Sequence, residues 1–119
     1  MIKKSSLITS LLIAAVSITH ATAAEFPQDL QGKWAWDSPE AKCADVNISG
    51  LVIDKKTASY GTESSCQILK VTGSNGKYRI QERCSSEDGS SKSTEAYALQ
   101  GSTLTIGEKQ LARKLRKCE

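Results

Sequence analysis

Two cysteines flank the strongest turn signal in the chain, and this constrains the fold more than any other feature. Gly73-Ser74-Asn75-Gly76 separates residues 65–72 from residues 77–85, two runs rich in strand-forming side chains. An Asn-Gly pair accepts positive φ at little cost and marks a β-hairpin. On the second arm Tyr78, Ile80 and Cys84 alternate with Lys77, Arg79, Gln81 and Arg83. That is the pattern of a strand with one buried face and one wet, basic face. Glu82 interrupts the apolar series. A connection with an odd number of residues, centred on Asn75, sets Cys66 directly opposite Cys84, within disulfide reach. A strict two-residue turn misses that register by one position.

The first 23 residues are expected to be an export signal. Lys3 and Lys4 form a positive n-region, and residues 7–18 form an apolar stretch too short to span a bilayer as an ordinary helix. Ala21-Thr22-Ala23 is a small-x-small cleavage site, with Ala24 as an alternative endpoint. No cysteine follows before Cys43, so a lipid anchor has no acceptor. A single domain, residues 24–119, is then expected to be soluble in the periplasm or secreted. Loss of Lys3 and Lys4 takes the formal charge from +3 to +1, which is not a nucleic-acid-binding balance. The only histidine, His20, leaves with the signal.

Four cysteines remain, at 43, 66, 84 and 118. An even count in an exported chain reads as two disulfides. Zinc ligands usually come in close pairs such as C-x-x-C, and this chain has none. Of the three possible connectivities, Cys66–Cys84 with Cys43–Cys118 is expected, the second tying the end of the domain to its beginning.

The remaining chain reads as short strands punctuated by turns. Residues 25–31 form an extended, partly mobile lead-in. Gly32-Lys33-Trp34-Ala35-Trp36 is the first strand, with both tryptophans on one face, expected to plug the core. Ser38-Pro39-Glu40 fits one helical turn that delivers Cys43, and Asn47-Ile48-Ser49, although a glycosylation sequon, is expected in a turn. Residues 51–54 and 58–61 form a hairpin across Lys55 and Lys56. Residues 85–91, SSEDGSS, are the most loop-like segment. Strands are expected again at 93–99, 103–106 and 110–118. Within the last, the basic run 113–117 is expected to be a solvated edge strand. Together these predict an all-β antiparallel meander or barrel of about eight short strands, with two disulfides.

The G-x-W of Gly32, Lys33 and Trp34 resembles the signature of lipocalin-like (calycin) barrels. That resemblance implies that Trp34 closes one end of the barrel under a basic side chain from the last strand, Arg116 or Arg113. The wider layout, G-x-W…C…C…C…L-x-x-C, is similar to small exported bacterial proteins of unknown function. The G-x-W start and compact barrel are also similar to small periplasmic protease inhibitors of the Inh type, from which this chain departs in having a second cysteine pair.

Several chemistries are excluded for residues 24–119. Without histidine there is no Ser-His or Cys-His nucleophile and no His-bound metal. No glycine-rich loop precedes a helix in a way that would cradle phosphate. Glu63, Glu82, Glu87, Asp88 and Glu95 are available carboxylates, two of which could flank a glycosidic bond, but any exposed meander carries such residues. No catalytic, cofactor-binding or metal residues are assigned, and no enzyme activity. The expected function is binding or inhibition of an envelope protein. Candidate surfaces are Lys55 and Lys56 in one turn, the face carrying Arg79, Gln81 and Arg83, and the 85–91 loop. The other candidate is a carrier holding a small apolar ligand inside the barrel. No transmembrane segment and no nucleic-acid partner are expected.

Overall fold

The computed structural model describes residues 24–119; the expected export signal lies outside them. Eight antiparallel strands follow one another round a closed barrel. They are β1 (Gly32–Trp36), β2 (Leu51–Ile53), β3 (Thr57–Tyr60), β4 (Ser64–Ser74), β5 (Lys77–Ser86), β6 (Gly89–Gln100), β7 (Thr103–Ile106) and β8 (Arg113–Cys118). The barrel interior is filled from alternate positions of every strand, including Trp34, Leu51, Ile53, Ala58, Ile68, Ile80, Tyr97, Leu104, Ile106 and Leu115. Both expected disulfides are formed, Cys66–Cys84 and Cys43–Cys118. No helix among the described residues is long and apolar enough to cross a membrane.

The central hairpin reaches its register by a different route from the one the sequence suggests. Its turn is the strict two-residue form, Asn75 (φ 54°) and Gly76 (φ 81°), with Ser74 opposite Lys77. Positive φ at both positions belongs to the turn whose twist matches the flanking strands. Left alone, that turn would set Cys66 opposite Ser85. A bulge between Ile68 and Lys70 leaves Leu69 without a partner and shifts the register by one, bringing Cys66 opposite Cys84.

Other segments also differ from expectation. The basic run of β8 is no edge strand, because β8 pairs with β7 on one side and β1 on the other. Residues 85–91 are not a loop: β5 and β6 run on to Ser86 and Gly89 across a two-residue turn, Glu87-Asp88. Asn47, Ile48 and Ser49 lie in a short helix, α1 (Val46–Ser49), preceded by a 3-10 turn at Cys43–Asp45. Val46 of α1 covers Ala35 and Cys118 on the outside of the barrel, forming a small second core. The lead-in is a plug and not a mobile tail. Phe26 and Leu30 are buried, and the Phe26 N–H donates to the Lys55 carbonyl at 2.7 Å. Tyr78 Oη donates to the Asp29 carboxylate at 2.8 Å, fastening the plug to β5. Two apolar residues four apart are enough to bury this segment once the barrel end is there to receive them.

Candidate functional site

The functional surface grows from the alternation along β5. Ile80 and Glu82 point inward and are buried, so Lys77, Arg79, Gln81 and Arg83 point out. Directly opposed residues share a face. The register therefore adds Gln67, Lys70 and Thr72 from β4, and Lys92, Thr94 and Ala96 from β6. The outcome is a three-stranded outer face with five exposed cations, Lys70, Lys77, Arg79, Arg83 and Lys92; the two carboxylates of these strands, Glu82 and Glu95, are on the opposite face. Arg83 stands directly opposite Lys92, an arrangement that costs stability. Arg79 alone has an acidic partner, Glu108 at 3.1 Å, with both side chains about 60% exposed, so solvent screens the pair to little net energy.

Of the residues expected at a binding surface, Arg79, Gln81 and Arg83 share this face. Lys77, read from the alternation as part of the same wet face, joins them, and Lys70 and Lys92 are additions that sequence reading missed. Lys55 and Lys56 lie in the β2–β3 turn, which meets the side of β4 where the Ile68 N–H donates to the Lys56 carbonyl at 3.0 Å. The missing signal was strand pairing: Lys70 and Lys92 become neighbours of Gln81 and Arg83 only through the registers of the β4–β5 and β5–β6 ladders.

The opposite face of β5 holds the residue that broke the apolar pattern. Glu82 is 0% exposed. It accepts a hydrogen bond from Tyr97 Oη at 2.7 Å, and its other oxygen lies 3.4 Å from Sγ of Cys84, which has no proton to donate in a disulfide. Above it Tyr60 stacks under Arg113, whose guanidinium is 5.6 Å from the ring centre and paired with Glu95 at 3.0 Å. The Tyr60 hydroxyl is buried and closes no hydrogen bond. Burial, then the charge of Glu82, pushes the Tyr60 hydroxyl up to about 12. Burial also raises Tyr97. Burial pushes Glu82 above its ordinary 4.5, with Glu95 adding to the rise and Tyr97 and Arg113 opposing it.

The stability consequence has a definite sign. A raised folded value means that the folded chain holds a proton which the unfolded chain has already released. Stability is then greatest below pH 4.5 as far as Glu82 is concerned, and falls as pH climbs through the raised value. Glu82→Gln keeps an acceptor for Tyr97 and removes that slope. The variant is expected to be at least as stable as the parent at neutral pH. Thermal melts across pH 4–8 check this; an unchanged slope would mean that Glu82 is ionised throughout.

At the far end of the barrel a cation lies over the Trp34 ring, but it is not the one expected. Trp34 is buried, and its indole N–H donates to the Leu30 carbonyl at 2.9 Å. The charge over its ring is Lys117, 4.8 Å from the centroid and hydrogen-bonded to the Gln31 carbonyl. Neither Arg116 nor Arg113 occupies that place. Trp34 and Lys117 are direct cross-strand partners, and Lys117 shares the inward parity of Leu115. Arg116 points outward and donates to the carbonyls of Trp36 and Ala41, holding the 37–42 connection down. Arg113 points inward at the other end, over Tyr60. Gly32 has φ 136°, and a Cβ there would lie 2.9 Å from Lys117 Nζ, so glycine belongs at this position.

The sulfurs of Cys66 and Cys84 cluster with a Glu82 oxygen within 4.8 Å. Because both sulfurs are in one disulfide, neither supplies the thiolate a metal requires. The surface hollows are open to solvent. One of about 520 Å³ runs between β6 and the β7–β8 connection, and others lie among the serines and acids at the β3–β4 and β5–β6 turns. No family model, curated protein or solved structure matches this chain.

Proposed function

We propose that this chain is an exported, non-catalytic binding or inhibitory module, and that its basic β4–β5–β6 face engages an acidic protein of the cell envelope. The observation that carries this is the face itself. Five exposed cations stand together with one screened acidic partner, and two of them are directly opposed at a cost to the fold. Two disulfides belong to an oxidising compartment, and one of them, Cys66–Cys84, ties together two of the strands that display the charges, which lowers the ordering cost of binding. A carrier of an apolar ligand would need an empty barrel, whereas large side chains and the Glu82–Tyr97 pair fill this interior.

Neutralising Lys70, Arg83 and Lys92 together to glutamine tests the assignment. The tagged parent retains a partner from envelope extract and releases it as salt shortens the screening length. The triple variant retains none, yet melts no lower than the parent, because a like-charge contact has been removed. Equal retention by both proteins overturns the proposal. An apolar molecule co-purifying one-to-one would replace it with the carrier.

A further inference from the structure

β6 is three times as long as its neighbour β7, and only its lower third, Tyr97 to Gln100, is paired with it. The upper part, from Gly89, pairs with β5 without interruption. On its other side the ladder ends where the Gly107 N–H donates to the Ala96 carbonyl at 2.9 Å. Backbone groups alternate sides along a strand. Since those of Ala96 face β7, those of Thr94, Lys92 and Ser90 face the same way, beyond the point where β7 stops. No strand among the described residues meets them. This free edge carries no proline and no bulge, two of the devices that usually blunt an edge. Cys66–Cys84 bridges β4 and β5 at the base of the β5–β6 ribbon, whose residues 85–94 are all exposed, and so anchors its β5 arm covalently where no apolar face could hold it.

We infer that the Ser90–Thr94 edge of β6 takes an extended acidic segment of the partner as an added strand. The inference rests on the proposed binding role and names its mode. Charge selects the occupant. Lys92 lies on the edge strand itself, with Arg83 one strand behind it and Lys70 two rows away. An acidic strand laid beside β6 meets these cations, whereas a second copy of the same edge would bring Lys92 against Lys92. The hollow of about 520 Å³ continues the line of the edge past Thr94 and Ala96 to Leu111, an 84% exposed leucine that offers an apolar contact. Strand addition draws its affinity from main-chain hydrogen bonds and its selectivity from alternate side chains. The fitting segment therefore alternates acidic with apolar residues.

The test uses the oxidised protein and a synthetic octapeptide of alternating valine and glutamate, followed by amide hydrogen exchange. In the free protein the N–H groups of Ser90, Lys92 and Thr94 exchange fast, while those of Ser91, Ser93 and Glu95, bonded to β5, exchange slowly. Peptide binding slows Ser90, Lys92 and Thr94 at least tenfold. Binding is lost when alternate peptide nitrogens are methylated, and also in Thr94→Pro, which removes one outward donor and no β5 bond. A lysine–valine peptide does not bind. Peptide binding that depends on Lys70 and Arg83 but leaves those three amides fast overturns the edge and spares the basic face. Binding indifferent to charge, or none, overturns both. Slow exchange at the three amides without peptide, together with a doubled mass in solution, assigns the edge to a second copy instead.

Discussion

Replacing Trp34 by alanine lowers the stability of the folded chain by about 3–5 kcal/mol, the range for truncating a buried aromatic ring. The ring is one of the largest fully buried groups and seals the barrel end on which Phe26 and Leu30 pack. Its loss opens a cavity, releases the Leu30 carbonyl from its indole donor, and leaves Lys117 without a face to cover. Lys117→Ala is expected to cost about 1–2 kcal/mol, as for a partly desolvated cation over indole. The two changes are not additive, because they remove one shared contact, and the double variant should be less damaged than the sum by about 0.5 kcal/mol or more. Arg116→Ala also destabilises, by freeing the carbonyls of Trp36 and Ala41, but its coupling to Trp34 is smaller. Urea unfolding of the single and double variants measures all of this. Strict additivity of Trp34→Ala with Lys117→Ala would sink the closure.

The disulfides rank next. Cys43–Cys118 spans 75 residues and Cys66–Cys84 spans 18. The loop-entropy relation makes removal of the first worth about 4.5 kcal/mol and of the second about 3 kcal/mol. Paired Cys→Ser variants should follow that order, and the consequences differ in place as well as size. Without Cys43–Cys118 the 37–50 excursion, α1 included, keeps the Arg116 hydrogen bonds, the backbone bonds at Asp37 and Gly50 and the small Ala35–Val46 core to hold it. Without Cys66–Cys84 the barrel interior persists, while the exposed 85–94 ribbon exchanges its amides faster. A larger cost for the shorter loop would show that the bridge acts through native contacts around Glu82 rather than through the unfolded chain.

Much of the architecture was legible locally. Asn75-Gly76 specifies its own turn because few residue pairs tolerate two positive φ values. Gly32 to Trp36 declares a strand with both tryptophans inward, and the spacing of turn residues sets the number of strands. The expected cysteine pairing is formed, although the connection expected to have an odd number of residues is a two-residue turn with a bulge beyond it. The turn and the strands depend on residues within a few positions of one another, where backbone preference and alternation act directly.

Only the tertiary structure decided the rest, because each remaining feature depends on a partner far along the chain. Leu69 becomes a bulge because the turn and the Cys66–Cys84 bridge demand registers one residue apart, and the ladder between them must absorb the difference. Glu82 is tolerated inside because Tyr97, fifteen residues away, supplies its hydrogen bond. Lys117, and not Arg116, covers Trp34 because closing β8 onto β1 fixes which parity faces inward. The same closure turns β8 from an edge into an interior strand, and β7, ending at Ile106, leaves the true edge on β6. The sequence alone therefore determined the all-β class, most of the strands and the choice of cysteine partners, since these are local or countable. Strand register decided which cations share a face and which backbone groups remain free, and register is a property of pairs.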